Sequence, residues 1–271
     1  LQHTHLENFD IESNGPEKSI YLNIIKSTGL HRNTGSKYEL VRPSEPGLIR
    51  LWDRWDTMIQ NTRDDNDRVK ISALIQKASE PPYGIKEGLA HFLAVVKVFS
   101  DLDQISVYHR RLDSQEYMYL AKIEKDTIEL ITKRPENFEL KFVDSKIHQS
   151  LFSELYYFLN NDQKDITTLL DVARSIIGKV SMLRQRTIKT RKGISEQAQK
   201  FIKAVRDARS PEKLIYNTIP ISLNLEPINS GKKSSSKNYV NQLQSVLEEI
   251  HKFEENIFPL IKEQIINFWE L

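Results

Sequence analysis

The chain contains no cysteine, which removes disulfides, thiol nucleophiles, iron–sulfur clusters and cysteine-bound zinc together. That absence is compatible with a reducing compartment, and the expected location is cytoplasmic. No run of 18 apolar residues occurs, so no transmembrane helix and no membrane partner are expected. Only 9 of 271 residues are glycine, too few for the turn-rich sequence of a sandwich or barrel. Catalytic signatures are missing as well. There is no G-x-S-x-G elbow, no H-E-x-x-H pair and no G-x-G-x-x-G turn. Gly231-Lys232-Lys233-Ser234 echoes a phosphate-binding loop, but Glu226 stands where the pattern needs its first glycine, and no strand precedes it. Nucleotide binding there is rejected, and no cofactor is expected.

What remains is rich in Leu, Ile, Lys and Glu, with 39% hydrophobic and 28% charged residues. This composition favours a mainly α chain. The net charge of +2 conceals an asymmetry. Residues 184–213 hold ten Lys and Arg against three Asp and Glu, a local +7, and residues 247–271 carry a local −4. The start, Leu1-Gln2-His3-Thr4-His5, has neither an initiator Met nor a signal pattern, and reads as the edge of a piece cut from a longer protein.

Apolar spacing divides the chain into three parts. Residues 1–44 form a segment with one short helix, Glu17 to Ser27, stopped by Gly29, and then a loop from His31 to Pro46. Residues 45–144 form a winged-helix-like α+β unit. Its first helix carries Leu48, Leu51, Trp52, Trp55 and Ile59, and its second starts from an Asp67 cap. Its third, Lys86 to Ser100, is apolar on nearly all sides and belongs at the centre of the core. A hairpin follows (105–108 and 117–120, turning at Leu112-Asp113-Ser114), then a helix over 124–134 and an edge-like strand over 138–143. Residues 145–271 form a helical bundle packing Leu169, Ile176, Phe201 and Leu247. In it, Ser195 caps one helix, residues 217–237 are irregular, and the last helix can break or bend at Pro259.

Two surfaces carry candidate chemistry. Arg184, Arg186, Lys189, Arg191 and Lys192 cluster at a helix end, and Lys200, Lys203, Arg206 and Arg209 follow at spacings of three, on one face of the next helix. Such a stripe attracts a phosphate backbone, double-stranded DNA being the expected form. The plainer reading, a solvated face or one that meets the acidic C-terminal helix, is preferred at this stage. No aromatic residue interleaves with the charges, so single-strand stacking is not expected. Arg110 and Arg111 stand at the hairpin tip, where a wing would touch phosphates. The helix that should read the major groove is too apolar for that task.

Other features read more simply. Trp52 and Trp55 pack inward or anchor a partner, packing being preferred. His91 is read as a packed core histidine rather than a base. Asp64-Asp65-Asn66-Asp67 lacks the spacing, the Gly and the Glu of a calcium loop and serves as loop and cap. His3 and His5 are a lone pair without a carboxylate cluster, so no metal site is expected.

Pro81-Pro82-Tyr83-Gly84-Ile85-Lys86-Glu87-Gly88 before an apolar helix, then a strand pair, then Arg134-Pro135-Glu136-Asn137-Phe138-Glu139-Leu140, resembles a region of large bacterial multidomain P-loop ATPases of phage-defence islands, BREX-type systems among them. Thr187 to Ala208 and Ala208 to Ile215 are similar in style to the helical region that follows there. The resemblance spans roughly residues 80–215, and its motifs are short and non-catalytic. It implies a helical regulatory or assembly region beside a motor whose ATP site lies elsewhere. The expected function is a non-catalytic interaction module whose partners are other domains or subunits of a larger assembly. The alternative is nucleic-acid binding by the basic face and the hairpin tip.

Overall fold

The computed structural model describes residues 3–12, 14–35, 37–62, 67–111, 116–144, 148–162, 167–189, 193–228 and 236–269. The side chains of 186, 189, 236 and 257–269 lie outside that description. The protein is 61% helical and 10% strand, hence mainly α. Its chain divides into two compact units, Leu1–Val143 and Asp144–Leu271.

Unit 1 begins with α1 (Pro16–Ile20), which widens into a π turn over Tyr21–Lys26 and stops at Gly29, whose φ of +73° is open to glycine. The stretch from His31 read as loop contains a hairpin, β1 (His31–Asn33) with β2 (Tyr38–Leu40). These N-terminal residues are not a separate segment in packing terms, because Tyr21, Ile25 and Leu30 join the core of the unit. Next comes α2 (Pro46–Gln60). The Glu45 carboxylate caps it, accepting from the N–H groups of Gly47 at 2.9 Å and Leu48 at 2.6 Å. Leu51, Trp52, Trp55 and Ile59 form its buried stripe, and Trp55 Nε1 donates to the Leu74 carbonyl at 2.9 Å. Both tryptophans are therefore packing residues, at 1% and 0% exposure.

A two-residue strand, β3 (Val69–Lys70), leads straight into α3 (Ile71–Ser79). Lys70, not Asp67, occupies the N-cap position, because the backbone is still paired in a sheet before the helix starts. The apolar helix is α4 (Glu87–Ser100), buried through Ala90, Leu93, Ala94, Val95, Val96 and Val98. β4 (Ile105–Arg110) and β5 (Tyr117–Tyr119) pair antiparallel, α5 (Lys125–Lys133) intervenes, and β6 (Phe138–Phe142) closes the unit. The sheet order is β3-β6-β4-β5. So β6 is an inner strand, with Leu140 opposite Val69 on one side and Val107 on the other. Its alternation reports one apolar face; it cannot report how many neighbours the strand has.

Lys97 is the exception on α4. It is 1% exposed, and its ammonium reaches Asp56 on α2 and Asp101 at the end of its own helix. Arg42 binds Asp53 and, at 2.9 Å, Asp56. The result is a five-membered ionic network at the edge of the core.

Unit 2 consists of α6 (Gln149–Asn160), α7 (Leu169–Ser181), α8 (Gln185–Lys189), α9 (Glu196–Arg206), α10 (Pro211–Lys213), α11 (Ile219–Ser222) and α12 (Ser236–Trp269). A Thr168–Asp171 capping box starts α7. Residues 217–222, read as irregular, are helical: a π turn over Leu214–Thr218 joins α10 to α11, and Pro220 sits in the first turn of α11, where an N–H is not required. Helical backbone also continues through Pro259. Leu169, Ile176 and Phe201 are fully buried, and α12 adds Leu243, Val246 and Ile250. Leu247, expected in that cluster, is only half-buried.

Candidate nucleic-acid interface

α9 is built to show two faces. Ala198, Phe201, Ile202 and Val205 are buried on one side. Lys200, Lys203 and Arg206 are exposed on the other. Ser195 starts the helix, its hydroxyl accepting from the Ala198 N–H at 3.1 Å. Lys200 pairs with Glu196 one turn earlier at 2.8 Å, with both side chains more than half exposed, so the pair does little to neutralise the face. Lys203 and Arg206 have no ion-pair partner among the described residues.

Open concavities flank this ridge. One, of about 680 Å³, lies between α9 and the α10–α11 segment. Lys200, Lys203, Arg209 and Lys213 stand on its wall with a single acid, Asp207, and Ala204, Ala208, Leu214 and Ile221 supply its apolar surface. The other, of about 530 Å³, carries Lys200, Lys203 and Arg206 against Glu196 and Asp207, beside Thr187 and Ile188 of α8. Neither has an aromatic lining residue. Both can hold anionic groups in water at a cationic wall; neither offers a stacking platform for a base.

The acidic helix does meet the basic segment, but not by charge pairing with α9. Glu254 of α12 accepts the Arg184 N–H at 3.0 Å and the Thr187 hydroxyl at 2.7 Å, at the start of α8. Glu249 accepts the Ser195 N–H and, at 2.8 Å, its hydroxyl, at the start of α9. Between them Phe253 lies against Gly193, where a Cβ would fall 2.6 Å from its ring. These carboxylates satisfy helix N-terminal donors, which is a favourable place for negative charge. The cations of α9 keep their own field.

The remaining candidates are dispersed. Arg184 is exposed at the entry to α8. Arg186 and Lys189 lie on α8 with side chains outside the described residues, as are Arg191 and Lys192 altogether. Arg110 and Arg111 belong to unit 1, the remaining basic candidates to unit 2. Arg110 ends β4, half-buried and opposite Tyr117, and Arg111 is exposed, its N–H donating to the Glu116 carbonyl at 2.8 Å. The hairpin turn 112–115, Asp64 to Asn66, and the segment from Gly231 to Ser234 also fall outside the described residues.

The histidines stand apart from this surface. His91 is half-buried rather than in the core, with its Nδ1 3.1 Å from the Thr132 carbonyl. His109 stacks on Phe138 at 4.6 Å, and burial lowers its pKa. His31 is enclosed by Phe9, Tyr21 and Tyr38, its Nδ1 2.7 Å from the Tyr21 hydroxyl and its Nε2 2.8 Å from the Thr4 carbonyl. Among the described residues no three His, Asp or Glu side chains gather as metal ligands, and no helix is long and apolar enough to cross a membrane.

Sequence reasoning missed the two α12 carboxylates, which act across 54 to 70 residues of chain, and the contribution of Lys213 to the larger concavity; Arg209, expected on the face of α9, lies past the end of that helix at Arg206 and stands on the wall of the same concavity. Lys213 could have been found by extending the basic stripe one step past Arg209. The carboxylates have no local signal.

No family model, no curated protein and no solved structure matches this chain.

Proposed function

We propose that this chain is a non-catalytic interaction module of a larger bacterial assembly, as its resemblance to phage-defence P-loop ATPases implies, and that unit 2 supplies a contact to duplex nucleic acid through the phosphate backbone. One observation carries the nucleic-acid part. α9 exposes Lys200, Lys203 and Arg206 between two concavities, while the nearby carboxylates of α12 are engaged on main-chain donors. Clustered cations release counterions from a polyanion, so such a surface binds without reading sequence and loosens as salt rises. The lack of aromatic lining favours a duplex over a single strand.

Unit 1 fits the same reading in a supporting role. The element order α2-β3-α3-α4-β4-β5 supports a winged-helix-like reading, from which the sheet departs in placing β6, after α5, between β3 and β4. The helix in the reading position, α4, is buried through Leu93, Val96 and Val98 and turns its lysine into an ionic network. It favours a scaffold that faces protein, with Arg111 near the wing as an accessory phosphate contact.

The test is a titration of a labelled 20-base-pair duplex at low and at physiological salt. Binding is expected at low salt, falling steeply with salt and abolished in Lys200→Glu, Lys203→Glu, Arg206→Glu. No binding at low salt, or equal binding by the variant, overturns the nucleic-acid assignment and leaves a module that contacts protein alone.

A further inference from the structure

The contact between α12 and the basic segment has a second consequence. Resting on the nucleic-acid reading above, we infer that Glu249 and Glu254 are positioning residues of the cationic surface: they brace it, so that removing these negative charges weakens polyanion binding instead of strengthening it.

Simple electrostatics predicts the opposite sign. Neutralising two carboxylates beside a basic face raises its potential and should tighten a polyanion. The geometry opposes this. Each carboxylate makes two hydrogen bonds and none of them goes to a Lys or Arg side chain. Glu254 holds the Arg184 N–H and the Thr187 hydroxyl; Glu249 holds the N–H and hydroxyl of Ser195. Ser195 is itself the cap of α9, passing its oxygen on to the Ala198 N–H. Glu249 therefore fixes the first turn of the helix that presents Lys200, Lys203 and Arg206, and Glu254 fixes the entry to α8 that borders the smaller concavity at Thr187 and Ile188. Phe253, one residue from Glu254, closes on Gly193, whose φ of +95° and lack of a Cβ permit that approach. Three residues within about two turns of α12 thus hold both ends of the 184–195 segment. Charge-assisted bonds to N–H donors are the strong kind, and losing them frees the local backbone to open.

The experiment compares three double variants of the full chain with the parent. Glu249→Gln with Glu254→Gln removes the charge and weakens the bonds. Glu249→Asp with Glu254→Asp keeps the charge and shortens the reach. Glu248→Gln with Glu255→Gln makes the same charge change on the same helix, at exposed carboxylates whose described partners are Gln244 and His251. Two readouts are taken: amide hydrogen exchange at residues 184 and 195, and affinity for the labelled 20-base-pair duplex at low salt. The first two variants should exchange about tenfold faster at both amides and bind the duplex several-fold more weakly, while the Glu248/Glu255 pair leaves exchange unchanged and binds equally or more tightly. Unchanged exchange in the first variant overturns the brace. Faster exchange with equal or tighter duplex binding overturns its role in positioning the surface. If the parent itself does not bind the duplex, the nucleic-acid reading falls, and the exchange result alone decides whether these carboxylates hold the segment.

Discussion

Replacing Lys97 with Met tests how much of unit 1 rests on one buried charge. The ammonium is 1% exposed and is shared by the carboxylates of Asp56 and Asp101. Met keeps most of the volume against Trp52, whose ring centre lies 5.9 Å from Nζ, so the substitution is mainly electrostatic. Removing one partner of a fully buried ion pair costs about 3–5 kcal/mol, because the other charge is left uncompensated. Two features reduce that here. Both carboxylates keep more than a quarter of their surface in water, and each keeps another partner: Arg42 at 2.9 Å for Asp56, the Ser100 hydroxyl at 2.8 Å for Asp101. The expected loss is therefore about 2–4 kcal/mol. Lys97→Ala should cost about 1–2 kcal/mol more for the space it opens. Urea unfolding followed by tryptophan fluorescence measures this in a Trp269→Phe background, where the signal comes only from Trp52 and Trp55 in the same core. Adding Asp56→Asn and Asp101→Asn to Lys97→Met should recover part of the loss, since it removes the stranded charges. A Lys97→Met protein within about 0.5 kcal/mol of the parent refutes the claim that the network supports the fold.

Two further perturbations follow from single residues. Burial lowers the pKa of His31 below its ordinary 6.5, so between the folded pKa and 6.5 the unfolded chain binds more protons than the folded chain. Stability should fall as pH drops through 6.5 toward the folded pKa, and the loss should end once folded His31 titrates; an NMR titration of its ring with a midpoint at or above 6.5 contradicts this. In unit 2, Gly193→Ala combines a positive φ with a 2.6 Å contact to Phe253 and should cost about 1–3 kcal/mol by denaturant unfolding. Adding Phe253→Ala should not restore the parent, because the backbone conformation stays strained.

What the sequence made legible was whatever depends on neighbours three or four residues away. The stripes of α2 and α9, the Ser195 cap, the stop at Gly29 and the apolar character of α4 are all local patterns, and the structure contains them. What stayed hidden depends on partners distant in the chain. β6 looks the same as an edge or an inner strand until β3 is seen beside it, because a two-residue strand is too short to show a period. Lys97 looks like a surface lysine until Asp56, 41 residues away, is placed against it. The acidic and basic stretches were both visible, and pairing their charges was the natural inference. Main-chain N–H groups, however, have no identity in a sequence. Only a folded backbone shows that the starts of α8 and α9 present unsatisfied donors where Glu254 and Glu249 arrive. Opposite net charge between two segments therefore predicts that they meet, and does not predict which groups are consumed. Here the consumed groups are main-chain N–H groups and the hydroxyls of Thr187 and Ser195, so the two carboxylates make no bond to Lys200, Lys203 or Arg206.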